Sequence, residues 1–218
     1  MDVGQLADVL RKLAGQGCHN WNMVSPTPWV PSIAKAVDLV RSSGQSLPVV
    51  YNTSGFEDAA TLADVARWVD IYLTDLRYAK PESAMAGSGV PDYTEIARAA
   101  LLTMWNQTGP LDIDHEGVAR RGTLCRLLIL PGRADEAVAN LEWLAATVGT
   151  GIAVSVMAQY TPTHLATNAP GWDRVITRME YDQVIATTDR LGFDQGWIQE
   201  YGEPPPPGLL GCTMQPDV

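Results

Sequence analysis

Gly17-Cys18-His19-Asn20-Trp21-Asn22-Met23-Val24-Ser25-Pro26-Thr27-Pro28 is the stretch whose reading decides the fold. Residues 19–24 have the composition of a short strand, and the strand breaks at Ser-Pro-Thr-Pro. Pro26 and Pro28 each remove a backbone donor and hold the residue before them extended, so no regular element runs through them. Polar side chains are therefore presented at the C-terminal end of a strand, the edge where parallel α/β folds bind ligands.

The same unit recurs on either side of this stretch. Residues 3–16 form an amphipathic pattern, with Leu6, Val9, Leu10 and Leu13 on one face, closed by Gly15 and Gly17. Helices are also expected over 30–43, 58–68, 92–106 and 135–148, and from the Thr177-x-x-Glu180 capping box to Leu191. Between them lie apolar strands at 48–51, 69–73, 123–130 and 151–157, with a last short strand at 196–199. Residues 111–113 and 118–120 flank Asp114-His115-Glu116-Gly117 as a small hairpin. Residues 78–91, rich in Ala, Gly, Ser and Pro, read as a long loop with at most one helical turn. Near-continuous apolar strands alternating with amphipathic helices predict a parallel sheet covered by helices, an α/β architecture. The barrel-like domain is expected over 1–202, and the proline-rich 203–218 reads as a disordered tail.

Composition narrows the function. The 218 residues carry Lys+Arg 15 against Asp+Glu 25, a formal net charge of -10, and no basic block, which argues against a nucleic acid partner. No run of about 18 apolar residues appears, so no membrane span is expected. Cys18, Cys125 and Cys212 are widely separated; with no signal peptide, they point to the cytoplasm. The three histidines, His19, His115 and His164, fit no nucleophile or metal pattern.

Four strand ends carry similar chemistry: Ser25-Pro26-Thr27, Asn52-Thr53-Ser54-Gly55, Thr74-Asp75-Leu76-Arg77 and Gln159-Tyr160-Thr161. Singly, each is ordinary turn chemistry. Together, in a curved parallel sheet, they converge on one mouth, and Arg126, early in its strand, is expected to point into the same interior. Such a lining suits a zwitterionic ligand, with arginine for a carboxylate and a carboxylate for an ammonium or ribose hydroxyls.

These segments, with Val69-Asp70-Ile71-Tyr72-Leu73, Arg126-Leu127-Leu128-Ile129-Leu130-Pro131-Gly132 and Met157-Ala158-Gln159-Tyr160, resemble the radical S-adenosylmethionine (SAM) family in its pyruvate formate-lyase activating enzyme-like branch. The resemblance runs over about residues 3–201. It implies a partial (βα)6 TIM-like barrel, SAM, and a 4Fe-4S cluster that cleaves SAM reductively to a 5′-deoxyadenosyl radical. It also implies a protein hydrogen donor such as a glycyl radical enzyme. By position, Ser25, Thr27, Asn52, Thr53, Asp75, Arg77, Arg126, Gln159 and Tyr160 become candidate SAM contacts.

Two departures matter. The family's Cys-x3-Cys-x2-Cys lies between its first strand and first helix, and here the first helix opens the chain. The first strand and the cluster loop are therefore expected to be missing, leaving an exposed barrel edge suited to self-association and a chain inactive by itself. Arg77 stands where the family has lysine. The alternative expectation is a non-catalytic SAM-binding or assembly module built on the same barrel.

Overall fold

The computed structural model describes residues 1–202; the stretch 203–218, and Cys212 with it, lies outside the described residues. The helices are α1 Val3–Gly15, α2 Val30–Ser42, α3 Ala59–Val65, α4 Pro81–Ser88, α5 Tyr93–Thr108, α6 Ala134–Thr147 and α7 Arg178–Leu191. The strands are β1 Trp21–Val24, β2 Val49–Thr53, β3 Ile71–Asp75, β4 Asp112–Ile113, β5 Ala119–Leu128, β6 Ala153–Met157 and β7 Gly196–Ile198. They form one sheet in the order β1-β2-β3-β5-β6-β7, all parallel, with β4 antiparallel to β5 as the expected hairpin. This is the mostly parallel, helix-flanked α/β sheet expected of a partial TIM-like barrel, open between β1 and β7.

Local chemistry sets the element ends. Asp2 caps α1: its carboxylate accepts from the Gln5 amide at 2.8 Å while Gln5 reaches back to the Asp2 amide at 3.0 Å. Gly17 follows in the left-handed region (φ +81°), the conformation a helix exit requires. Thr177 and Glu180 form the capping box read from the sequence at the start of α7.

Alternate strand residues face the helices. On β1, β2 and β3 these are Trp21, Tyr51 and Tyr72, packed with α1, α2 and α3. On β5 and β6 they are Cys125, Leu127, Val154 and Val156, packed with α5, α6 and α7. The buried Trp21 indole donates to the Leu10 carbonyl at 3.0 Å, tying β1 to α1. The residues between them face away from the helices, and register aligns them: Asp75 lies opposite Arg126, Arg126 opposite Ser155, and Ser155 opposite Trp197.

The structure differs from the sequence reading in three places that bear on the site. Residues 78–91 are not a loop: they contain the two-turn helix α4, started by Pro81 and ended by Gly89 (φ +70°). The third strand runs to Asp75 rather than stopping at Leu73, because the ladder with β5 continues through Asp75. Arg126 is not early in its strand. The hairpin starts β5 at Ala119, so Arg126 lies third from the C-terminal end of the strand. No helix among the described residues is long and apolar enough to cross a membrane.

Candidate functional site

The C-terminal edge of the sheet holds an ion cluster built on neighbouring strands. Asp75, the last residue of β3, is 5% exposed and accepts from both sides. Its Oδ1 takes the Arg126 Nε at 2.6 Å, and its Oδ2 takes the Arg77 Nε at 3.0 Å and Nη2 at 2.8 Å. The Arg126 Nη2 also donates to the Asn52 Oδ1 at 3.3 Å, which carries the cluster across to β2. Burial works against the Arg77 cation. The Asp75 charge and hydrogen bonds outweigh it and hold the guanidinium above its ordinary pKa. Two guanidiniums against one carboxylate leave a net positive charge at the edge, chemistry that accepts a ligand carboxylate.

Two features hold the exits of β2 and β3 together. Gly55 (φ +88°) passes so close to β3 that a Cβ there would collide with the Asp75 carbonyl oxygen. The buried Tyr93 hydroxyl at the start of α5 donates to the Ser54 carbonyl at 2.6 Å, with the Asp75 carbonyl at 3.1 Å, and accepts from the Arg77 amide at 3.3 Å. Its own burial pushes the Tyr93 phenol pKa up, so it stays a donor at neutral pH.

The cluster forms the polar end of a cavity of about 600 Å³. Asp75, Arg77, Arg126, Gln159 and Tyr160 all line it, while Leu128, Leu130, Met157, Leu165 and Trp172 make the apolar end. The segment 158–172 and α4 meet over this cavity. The Tyr160 hydroxyl donates to the Trp172 carbonyl at 2.8 Å, and the Arg133 guanidinium stacks 3.7 Å from the Trp172 ring centre. Gly87 of α4 sits against this ring: a Cβ there would come within 2.8 Å of Trp172 Cη2 and would collide with the Tyr78 hydroxyl. Glu136, 2% exposed on α6, anchors α4. It accepts from the Ala79 amide at 2.8 Å, the Lys80 amide at 3.0 Å and the Ser83 hydroxyl.

The remaining predicted residues are not in this cavity. Asn52 touches it through Arg126. Thr27 and Thr53 turn their hydroxyls onto a residue the sequence reading did not single out, Glu57, at 2.7 and 2.5 Å. The Tyr51 hydroxyl sits 3.1 Å from the Thr27 Oγ1, and burial with the nearby Glu57 charge pushes its pKa up. Ser25 is exposed, in the left-handed region (φ +50°), and its amide donates to the Asn52 carbonyl at 2.8 Å. The predicted convergence is thus a line along the sheet edge, Ser25–Asn52–Arg126–Asp75–Arg77, rather than one mouth. Glu57, Tyr93 and Glu136 were missed because a buried polar residue carries no local sequence period. The one local signal was the acidic pair Glu57-Asp58 before α3, of which Asp58 is the helix cap.

A 4Fe-4S cluster does not fit these residues. Cys125 is fully buried on the helix-facing side of β5, where burial raises its thiol pKa, and Cys18 precedes β1 at the opposite edge of the sheet. No group of three His, Cys, Asp or Glu that could hold a metal ion occurs among the described residues. His19, His115 and His164 are all exposed.

No family model matches the chain. It is 22% identical over 170 residues to an uncharacterized protein of Methanocaldococcus jannaschii, a match covering 78% of this chain and 45% of that protein. The chain therefore spans about half the length of the curated relative it matches. Its structure is similar to the crystal structure of a domain of pyruvate-formate lyase-activating enzyme from Bacteroides vulgatus. The TM-score is 0.58 and the identity 14%, over 83% of this chain and 98% of that domain. At that identity the likeness shows the fold alone, a mostly parallel, helix-flanked α/β sheet.

Proposed function

We propose that the chain carries the SAM-binding barrel of a radical SAM protein resembling the pyruvate formate-lyase activating enzymes. The observation that carries this reading is the Asp75–Arg126–Arg77 cluster at the polar end of the 600 Å³ cavity, on the ligand-binding edge of the sheet. The guanidiniums of Arg126 and Arg77 take the methionine carboxylate. Gln159 and Tyr160 supply polar contacts to the amine and ribose, and the apolar end takes the purine. Ser25 and Asn52 extend the polar edge, with Thr27 and Thr53 supporting it from behind.

No radical step is assigned to this chain: Cys18 and Cys125, the cysteines among the described residues, offer no thiolate set for the cluster. The activating-enzyme likeness carries with it a protein hydrogen donor, such as a glycyl radical enzyme, for the whole protein. The same thiolate deficit favours a second reading, a non-catalytic SAM-binding or assembly module.

Titration calorimetry of the chain with SAM tests the binding site. One saturable site is expected, together with a rise in Tm that grows with ligand concentration, and Arg126→Met should abolish both. No heat and no thermal shift at millimolar SAM would overturn the reading. Anaerobic incubation with iron and sulfide, followed by absorbance, tests the cluster. A stoichiometric cluster on this chain would overturn the statement that it lacks the ligands.

A further inference from the structure

We infer that Glu57 is a positioning residue for the ligand site, acting through the Ser25 loop; this rests on the SAM reading above. Glu57 is 5% exposed and belongs to neither the ion cluster nor the cavity. Its Oε1 accepts from Thr27 at 2.7 Å, just beyond β1, and from Thr53 at 2.5 Å, at the end of β2. One carboxylate oxygen thus clamps the exits of two neighbouring strands to each other.

Two features of this corner are unfavourable by themselves. The Glu57 Oε2 is buried with no hydrogen-bond partner among the described residues, and a buried carboxylate oxygen left unpaired costs free energy. Ser25, two residues before Thr27, is held in the left-handed region, which disfavours any residue with a Cβ. Such strain persists where the surroundings over-determine it, and it concentrates at ligand sites. Here the surroundings are the Glu57 clamp on Thr27 and the Ser25 amide bond to the Asn52 carbonyl, 2.8 Å long. Asn52 in turn accepts from Arg126. The clamp therefore fixes an exposed hydroxyl at the near end of the polar line that Arg126 and Asp75 continue.

The test is a double-mutant cycle on SAM affinity. Glu57→Ala and Ser25→Ala are each expected to weaken SAM binding roughly tenfold, equivalent to about 1.4 kcal/mol. The double variant should be no weaker than either single one, because the clamp works through Ser25. Glu57→Gln keeps the acceptor oxygen and should restore wild-type affinity. Val37→Ala, in the core between α2 and the sheet, lowers Tm without touching the edge and should leave affinity unchanged. If Glu57→Ala does not fold, Thr27→Val removes the same clamp and is read in its place.

An unchanged affinity in Glu57→Ala overturns the inference, as do two losses that multiply in the double variant. A wild-type chain that takes up no SAM overturns the reading of the site, and this inference with it. Binding by the wild type with no coupling overturns the inference alone.

Discussion

Two buried glutamates hold the C-terminal edge of this sheet, and they do it differently. Glu136, beneath the cavity, uses both oxygens: Oε2 accepts two backbone amides and Oε1 a hydroxyl. Glu57, at the β1–β2 corner, uses one: Oε1 accepts two threonine hydroxyls while Oε2 has no partner among the described residues. Glu136 pins the residues that lead into α4, taking the Ala79 and Lys80 amides and the Ser83 hydroxyl, so both of its oxygens are satisfied. Glu57 ties down two side chains at the cost of leaving one of its own oxygens bare. The saturated site is an anchor for the fold, and the unsaturated one keeps a loop in a conformation it would otherwise leave.

The difference can be broken by substitution. Glu136→Ala should have the largest effect, about 3 kcal/mol from urea unfolding, because two amides and a hydroxyl lose their acceptor. A loss below about 1 kcal/mol would mean that the start of α4 is satisfied without it. The glutamine variants should separate the two sites. Glu136→Gln places an amide donor against other donors and should cost about 1–2 kcal/mol, while Glu57→Gln should stay within about 0.5 kcal/mol. Equal losses would remove the distinction drawn here.

A third carboxylate, Glu180 at the start of α7, differs from both in that its contribution depends on pH. It accepts from Arg174 at 2.7 and 2.9 Å, and from the Gly132 and Thr177 amides. The Arg174 hydrogen bonds, followed by those from the two amides, hold its pKa at about 2 against the usual 4.5. A carboxyl depressed in the folded state contributes stability above its unfolded pKa and loses it as pH falls through its folded pKa. The Tm difference between wild type and Glu180→Gln should therefore be constant above about pH 5 and shrink between 4.5 and 2. A difference independent of pH down to 2 would refute this assignment.

Much of the fold was legible because its signals are local. Period, proline and glycine placement located each strand–helix unit, and the Thr177 capping box gave the start of α7. The helix α4 was not legible. Its glycine and two serines lower helical propensity over a short stretch, and what holds its start is Glu136, more than fifty residues away. In the site, Asp75, Arg77, Gln159 and Tyr160 could be gathered from the sequence because strand ends converge by topology, whereas the place of Arg126 near the end of β5 depended on the hairpin that starts that strand at Ala119. Thr27 and Thr53 could not be separated from them, since only the fold shows which way a hydroxyl turns at a strand end. The role of Glu57 depends on two partners that converge on it from different strands, and no sequence spacing announces that.

The missing Cβ of Gly87 has a consequence for how this cavity could change over time. The distance between α4 and the Trp172 ring is set by a hydrogen atom. Any larger residue there would have to displace Tyr78 and the Trp172 ring and would itself occupy part of the chamber, whose charged end lies on Asp75, Arg77 and Arg126. Pocket width and pocket charge are thereby set by separate positions, so a single substitution at Gly87 would narrow the chamber and leave its charge as it is.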